Sequence, residues 1–314
     1  MKKAVIFPGQ GSQFVGMGKD LAAEFKTAER LYEEGDETLG FSLSGICFEG
    51  DKATLTETRN AQPAILLHSM AVWSVLKNET QIEAVITAGH SLGEYSALVA
   101  AGAVEVMDAL KIVRKRGELM YEAGLRQPGT MAAVIGMERS SVKKICENSS
   151  TENSIVVVAN INCPGQIVIS GHIEAVQRAM EAAKKEGAKK VLELNVSGAF
   201  HSPLVSSAED ELVSFIKKFK ICDPEVDVIS NVDGNVVRSR DEVIDALSRQ
   251  LTSPVLWSDS MDLLLKKWDG DIIEAGPGRV LSGLMRRIDR RRTVTRAGTV
   301  EEIKKIVASG NDFV

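Results

Sequence analysis

The stretch Gly89-His90-Ser91-Leu92-Gly93-Glu94 constrains this fold more than any other part of the chain. It follows Ala84-Val85-Ile86-Thr87-Ala88, an apolar, partly β-branched run that reads as a buried parallel strand. It precedes Tyr95-Ser96-Ala97-Leu98-Val99-Ala100-Ala101, small and apolar enough for a tightly packed helix. A strand that turns into a helix through G-x-S-x-G is the nucleophile-elbow pattern. Gly89 and Gly93 allow a tight turn and close packing, and Ser91 stands at its tip above the carboxyl end of the strand. The N–H of Leu92 opens the helix and points to where charge would develop on a carbonyl oxygen. The same six residues also suit a glycine-rich turn with a serine N-cap. The rest of the chain decides between the two.

With 314 residues, the chain can hold one large α/β core and a smaller second domain. A net charge of −5 gives no reason to expect a nucleic-acid partner. Cys47, Cys146, Cys163 and Cys222 lie far apart without a C-x-x-C pair, which argues against a zinc site or a disulfide framework and fits buried free thiols in a cytoplasmic protein. Lys2-Lys3 precedes an apolar stretch that Pro8-Gly9 ends too soon for a signal peptide, and no run approaches a membrane span.

Lys3 to Phe7 reads as a short buried strand ending in the loop Pro8-Gly9-Gln10-Gly11-Ser12-Gln13. Gly9-x-Gly11 lacks the third glycine and the distant acidic residue of a dinucleotide site. Gln10 instead offers a side-chain amide or a backbone N–H to a bound carbonyl, or simply bonds its own loop. Gln62-Pro63 reads as the start of a long apolar helix carrying His68, taken as a core residue; whether Gln62 faces a site stays open. Val104 to Glu122 is amphipathic, and Arg116 stands on it beside Gly117 and Met120, in a closer-packed setting than its charged neighbours. A guanidinium there suits a bidentate grip on a carboxylate, although from the residues alone a solvated helix charge is the commoner outcome and the anchor the minority reading.

Pro128-Gly129 marks a boundary, after which the pattern runs β, α, β, β, α, β to Leu194, the order of a split ferredoxin-like unit. The expected division is a small domain of residues 128–196 inserted into a large α/β domain of residues 1–127 and 197–314. His201, in Gly198-Ala199-Phe200-His201-Ser202, lies in a loop just before a helix and is the natural base for Ser91 if the fold brings them together. Further on come Gln250 before Ser253-Pro254, the turn Gly276-Pro277-Gly278, and the basic residues Arg286, Arg287, Arg290, Arg291 and Arg292. That run is either a solvated face or a dock for an acidic protein.

Together, Phe7 to Gln13, Gly89 to Glu94, Arg116-Gly117-Glu118-Leu119-Met120, Gly198 to Ser202, Gln250 and Glu274-Ala275-Gly276-Pro277-Gly278 make the chain resemble the malonyl-CoA:acyl carrier protein transacylases, over nearly its whole length. The resemblance implies a hydrolase-like α/β subdomain with a ferredoxin-like insert. It implies Ser91 as nucleophile, His201 as base, and the N–H groups of Gln10 and Leu92 as the oxyanion hole. Arg116 would bind the malonyl carboxylate, and the backbone carbonyl of Gln250 would orient His201 in place of an aspartate. Malonyl-CoA and acyl carrier protein are the implied partners of a monomer that needs no cofactor and no metal. A thioesterase shares the elbow and the base but needs no anchor for an acyl carboxylate. A non-catalytic acyl-CoA binding module has no use for an intact Ser91 and His201.

Overall fold

The structure, a computed structural model, describes residues 1–311. Among the described residues, ten strands form two sheets. The first holds β1 (Lys2–Phe7), β2 (Glu83–Gly89), β7 (Asp227–Ile229), β8 (Val236–Val237), β9 (Ile272–Ala275) and β10 (Val294–Ala297), in the order β10-β9-β1-β2-β7-β8. All its pairings are parallel except that of β7 with β8. Its central strands are covered on both faces. In β1, Val5 and Phe7 enter one apolar cluster with the helices Thr58–Glu79 and Val106–Arg126, while Ala4 and Ile6 enter another with Trp257, Met261, Leu281 and Met285. An unbroken apolar run such as Ala4 to Phe7 is what two-sided burial demands.

The second sheet holds β3 (Gly129–Ile135), β4 (Val156–Cys163), β5 (Gln166–His172) and β6 (Lys190–Glu193), in the antiparallel order β4-β5-β3-β6. That order is what a split βαββαβ unit gives. Alternation in β3 sorts its faces: Ala132 and Val134 pack under the helices Arg139–Ser149 and Ile173–Lys185, and Met131 and Ala133 turn toward the larger core. The small sheet is tied to the rest of the chain by backbone bonds to Val255, which lies just before the helix Trp257–Lys267, accepts from Ile161 at 2.9 Å and donates to Ala159 at 2.8 Å.

The long helix begins at Thr58, four residues before the expected Gln62-Pro63, and carries Pro63 inside it. Proline has no N–H for the carbonyl of Arg59. The guanidinium of Arg114 supplies the missing donor, with Nη1 2.9 Å from that carbonyl and 2.8 Å from Asn60 Oδ1. His68 is a core residue, 3.0 Å from Tyr32 Oη and 3.1 Å from the Gly298 carbonyl. Cys47, Cys146 and Cys163 are buried free thiols, whereas Cys222 is only half-buried.

Candidate active site

The carboxyl ends of β1 and β2 lie side by side in the sheet, and their loops bring Gln10 and Ser91 to one place. This is where ligands bind in open parallel sheets. A Cβ on Gly89 would sit 1.8 Å from the Gly93 carbonyl oxygen, and one on Gly93 would sit 2.2 Å from that of Phe7, so neither position admits a side chain. Ser91 itself holds a left-handed backbone, φ 50°, uncommon for a residue with a Cβ. The buried Asn231 stabilises it: its Oδ1 accepts from the Ser91 N–H at 2.6 Å and its Nδ2 donates to the Gly89 carbonyl at 2.7 Å.

His201 Nε2 lies 2.8 Å from Ser91 Oγ. Its Nδ1 faces two carbonyl oxygens, of Gln250 at 3.0 Å and Ser253 at 3.2 Å. Carbonyls only accept, so Nδ1 carries the ring proton and Nε2 is free to accept from the serine hydroxyl. His201 is 4% exposed, and this burial, aided by the positive charge of Arg116, pushes its pKa down to about 3. The imidazole is therefore neutral at physiological pH, the state in which it can take a proton. It too has a left-handed backbone, φ 55°.

Arg116 is 1% exposed. Its Nη2 lies 3.2 Å from Ser91 Oγ and 2.9 Å from Gln250 Oε1, and its Nη1 donates to Gln62 Oε1 at 2.6 Å. Its Nε has no partner among the described residues. A fixed cation thus stands within one hydrogen bond of the serine oxygen, and the carboxyl that acts on it is Glu94, whose own pKa burial raises to about 7. The Gln10 loop is closed by Ser12, whose Oγ donates to the Gly9 carbonyl at 2.7 Å, and the Gln10 side chain donates to Thr58 Oγ1 at 3.2 Å. The side-chain amide is thus occupied. Among the described residues, the backbone N–H groups of Gln10 and Leu92 donate to no protein acceptor.

Gln10, Ser91 and His201 line a cleft of about 910 Å³ between the two sheets, together with Met131, Val168 and Leu194. Its rim reaches Gln166, Val280 and Leu284, next to the arginine-rich helix Val280–Ile288. Among the described residues, no group of His, Cys, Asp and Glu is placed to hold a metal ion, and no helix is long and apolar enough to cross a membrane.

All six residues singled out in the sequence meet here. Asn231 and Glu94 join them unforeseen, and Gln62 turns out to face the site. Asn231 reads in the sequence only as a turn residue. Nothing in the sequence ties it to the elbow; the fold does, by setting β7 beside the elbow strand β2.

A serine hydroxyl held against a neutral histidine, two unspent N–H donors and a fixed cation have the chemistry that acyl transfer uses. The family model for acyl transferase domains matches residues 5–307, and the chain belongs to that family. Among its relatives, the malonyl CoA-acyl carrier protein transacylase of Bacillus subtilis is 48% identical over 290 residues, 92% of this chain and 91% of the relative. That of Staphylococcus aureus (strain MW2) is 42% identical over 96% of this chain and 97% of the relative. The solved acyl carrier protein S-malonyltransferase of Vibrio cholerae superposes with a TM-score of 0.93 at 38% identity, covering 98% of this chain and 100% of that one. A malonyl-transacylase solved in complex with its type II PKS acyl-carrier protein gives 0.94 at 36% identity, over 98% of this chain and 100% of that one.

Proposed function

We propose that this protein transfers the malonyl group of malonyl-CoA to the thiol of acyl carrier protein through a malonyl ester on Ser91. The observation that carries the reading is the position of Ser91 Oγ between His201 Nε2 at 2.8 Å and Arg116 Nη2 at 3.2 Å. A base and a carboxylate partner thus meet at one nucleophile.

Ser91 Oγ attacks the thioester carbonyl while His201 Nε2 takes its proton. The N–H groups of Gln10 and Leu92 hold the oxyanion, and CoA leaves as its thiol with the proton returned by His201. Arg116 keeps the malonyl carboxylate in place. The carrier's phosphopantetheine thiol then attacks the ester, with His201 again as base, and Ser91 regains its proton when the product leaves. The sequence is ping-pong and requires no cofactor. The carrier is read as an acidic protein that docks on the arginine face of the helix Val280–Ile288, and the enzyme as a cytoplasmic monomer.

Truncating one member of a buried, hydrogen-bonded charge pair costs about 2–5 kcal/mol, or roughly 30-fold and upward. Arg116→Ala is therefore expected to lower kcat/KM for malonyl-CoA by about 100-fold or more, and to affect transfer of an acetyl group, which has no carboxylate, far less. Equal losses on both substrates would show that Arg116 does not hold the malonyl carboxylate.

A further inference from the structure

Glu94 opens the elbow helix and has no part in the steps above, yet it is buried at the centre of the site, 2% exposed. Its Oε2 accepts from Gln250 Nε2 at 2.5 Å and from the Asn231 N–H at 3.3 Å. A carboxylate offers only acceptors, so this contact decides which end of the Gln250 amide faces it. A carboxyl protonated on Oε1 would still accept at Oε2. With Nε2 committed to Glu94 and to the Ser91 carbonyl at 3.1 Å, Oε1 faces the other way and accepts from Arg116 Nη2 at 2.9 Å. Rotation of that amide by half a turn would set donor against donor at the guanidinium and release it from the side of Ser91.

His201 is independent of that rotation, because its Nδ1 bonds to backbone carbonyls of Gln250 and Ser253. Glu94 therefore bears on the cation and not on the base. We propose that Glu94 is a specificity-determining positioning residue: by fixing the Gln250 amide it holds Arg116 beside Ser91, and so selects acyl groups that carry a free carboxylate. The proposal rests on the reading of Arg116 as the carboxylate's partner.

The test compares two single-turnover rates at Ser91, followed by intact mass. One uses malonyl-CoA, and the other phenylmethylsulfonyl fluoride, a neutral serine reagent that needs the base but no cation. Glu94→Leu is expected to slow malonylation by about 30-fold, the scale of one hydrogen bond to a charged group, and to change sulfonylation by less than about threefold. Glu94→Gln keeps an acceptor for Gln250 and is expected to stay within about fivefold of the parent in both. Should Glu94→Leu fail to fold, Glu94→Met, unbranched like the glutamate and equally without an acceptor for the Gln250 amide, is expected to give the same split. Parallel loss of both rates would mean a general structural role, and unchanged malonylation no role; either overturns the proposal. If the parent protein itself takes up no malonyl group while being sulfonylated, the Arg116 reading fails first and the proposal falls with it.

Discussion

Ser91 and His201 both hold left-handed backbone conformations, φ 50° and 55°, each costing on the order of 1–3 kcal/mol. Asn231 offsets that cost at Ser91 by satisfying the elbow's N–H, and two carbonyls fix the ring of His201. Because burial holds His201 neutral, its activity as a base should survive acidification past the ordinary histidine range. The sign follows from the proton: only the unprotonated ring accepts from Ser91, and a lowered pKa extends that form toward acid. In Glu94→Gln, which removes the carboxyl that burial raises to about 7, the single-turnover acylation rate is expected to stay flat from about pH 8 to about pH 5. A fall centred near the ordinary histidine value, about 6.5, would contradict the neutral dyad. Gln10, Ser91 and His201 could be singled out because each sits in a loop or turn motif, whereas Arg116 and Gln250 lie in helices and drew their roles from the family resemblance. Glu94 and Asn231 were not legible, since their partners lie 156 and 140 residues away and only the fold supplies those contacts.

Among the elements, the helix Thr58–Glu79 shows how a local rule is overridden. Pro63 reads as a helix start because proline suits a first turn. Here it sits inside the helix, since Arg114 from a neighbouring helix supplies the donor that proline lacks. Arg114→Met should therefore lower stability to urea by about 1–2 kcal/mol, the cost of an acceptor left without its donor. In a Pro63→Ala background the loss should be smaller, because the alanine brings its own N–H to the Arg59 carbonyl. Equal losses in both backgrounds would show that Arg114 acts elsewhere. The central strands and the order of the small sheet could be read from apolar runs and from the alternation of strand and helix. The strands β8 and β10 could not: they are two and four residues long, at the sheet edges, and carry little apolar patterning.

For the whole molecule, the cleft lies where two sheets meet, and its rim leads to one strongly basic face. Arg286 and Arg290 are exposed there, while Arg291 pairs with Asp289 at 3.0 Å and Arg292 pairs with Asp269. The charge run in the sequence thus contains both solvated ion pairs and exposed cations, a division that depends on where the aspartates fall in space. If an acidic carrier docks on this face, reversing Arg286 and Arg290 to glutamate should raise its KM by about tenfold at low salt, with the effect shrinking as salt is added. Transfer to free pantetheine, which presents no protein surface, should hardly change. A carrier KM insensitive to both the reversal and salt would place the docking surface elsewhere.

The central claim is a malonyl ester on Ser91 that the carrier protein discharges. Intact mass after brief mixing with malonyl-CoA, with Ser91→Ala beside it, tests this most directly. A malonyl adduct is expected on the parent protein alone, disappearing when acyl carrier protein is added and reappearing as malonyl-carrier. Free malonate released at a steady rate with no malonyl-carrier formed would contradict the claim and make the protein a hydrolase.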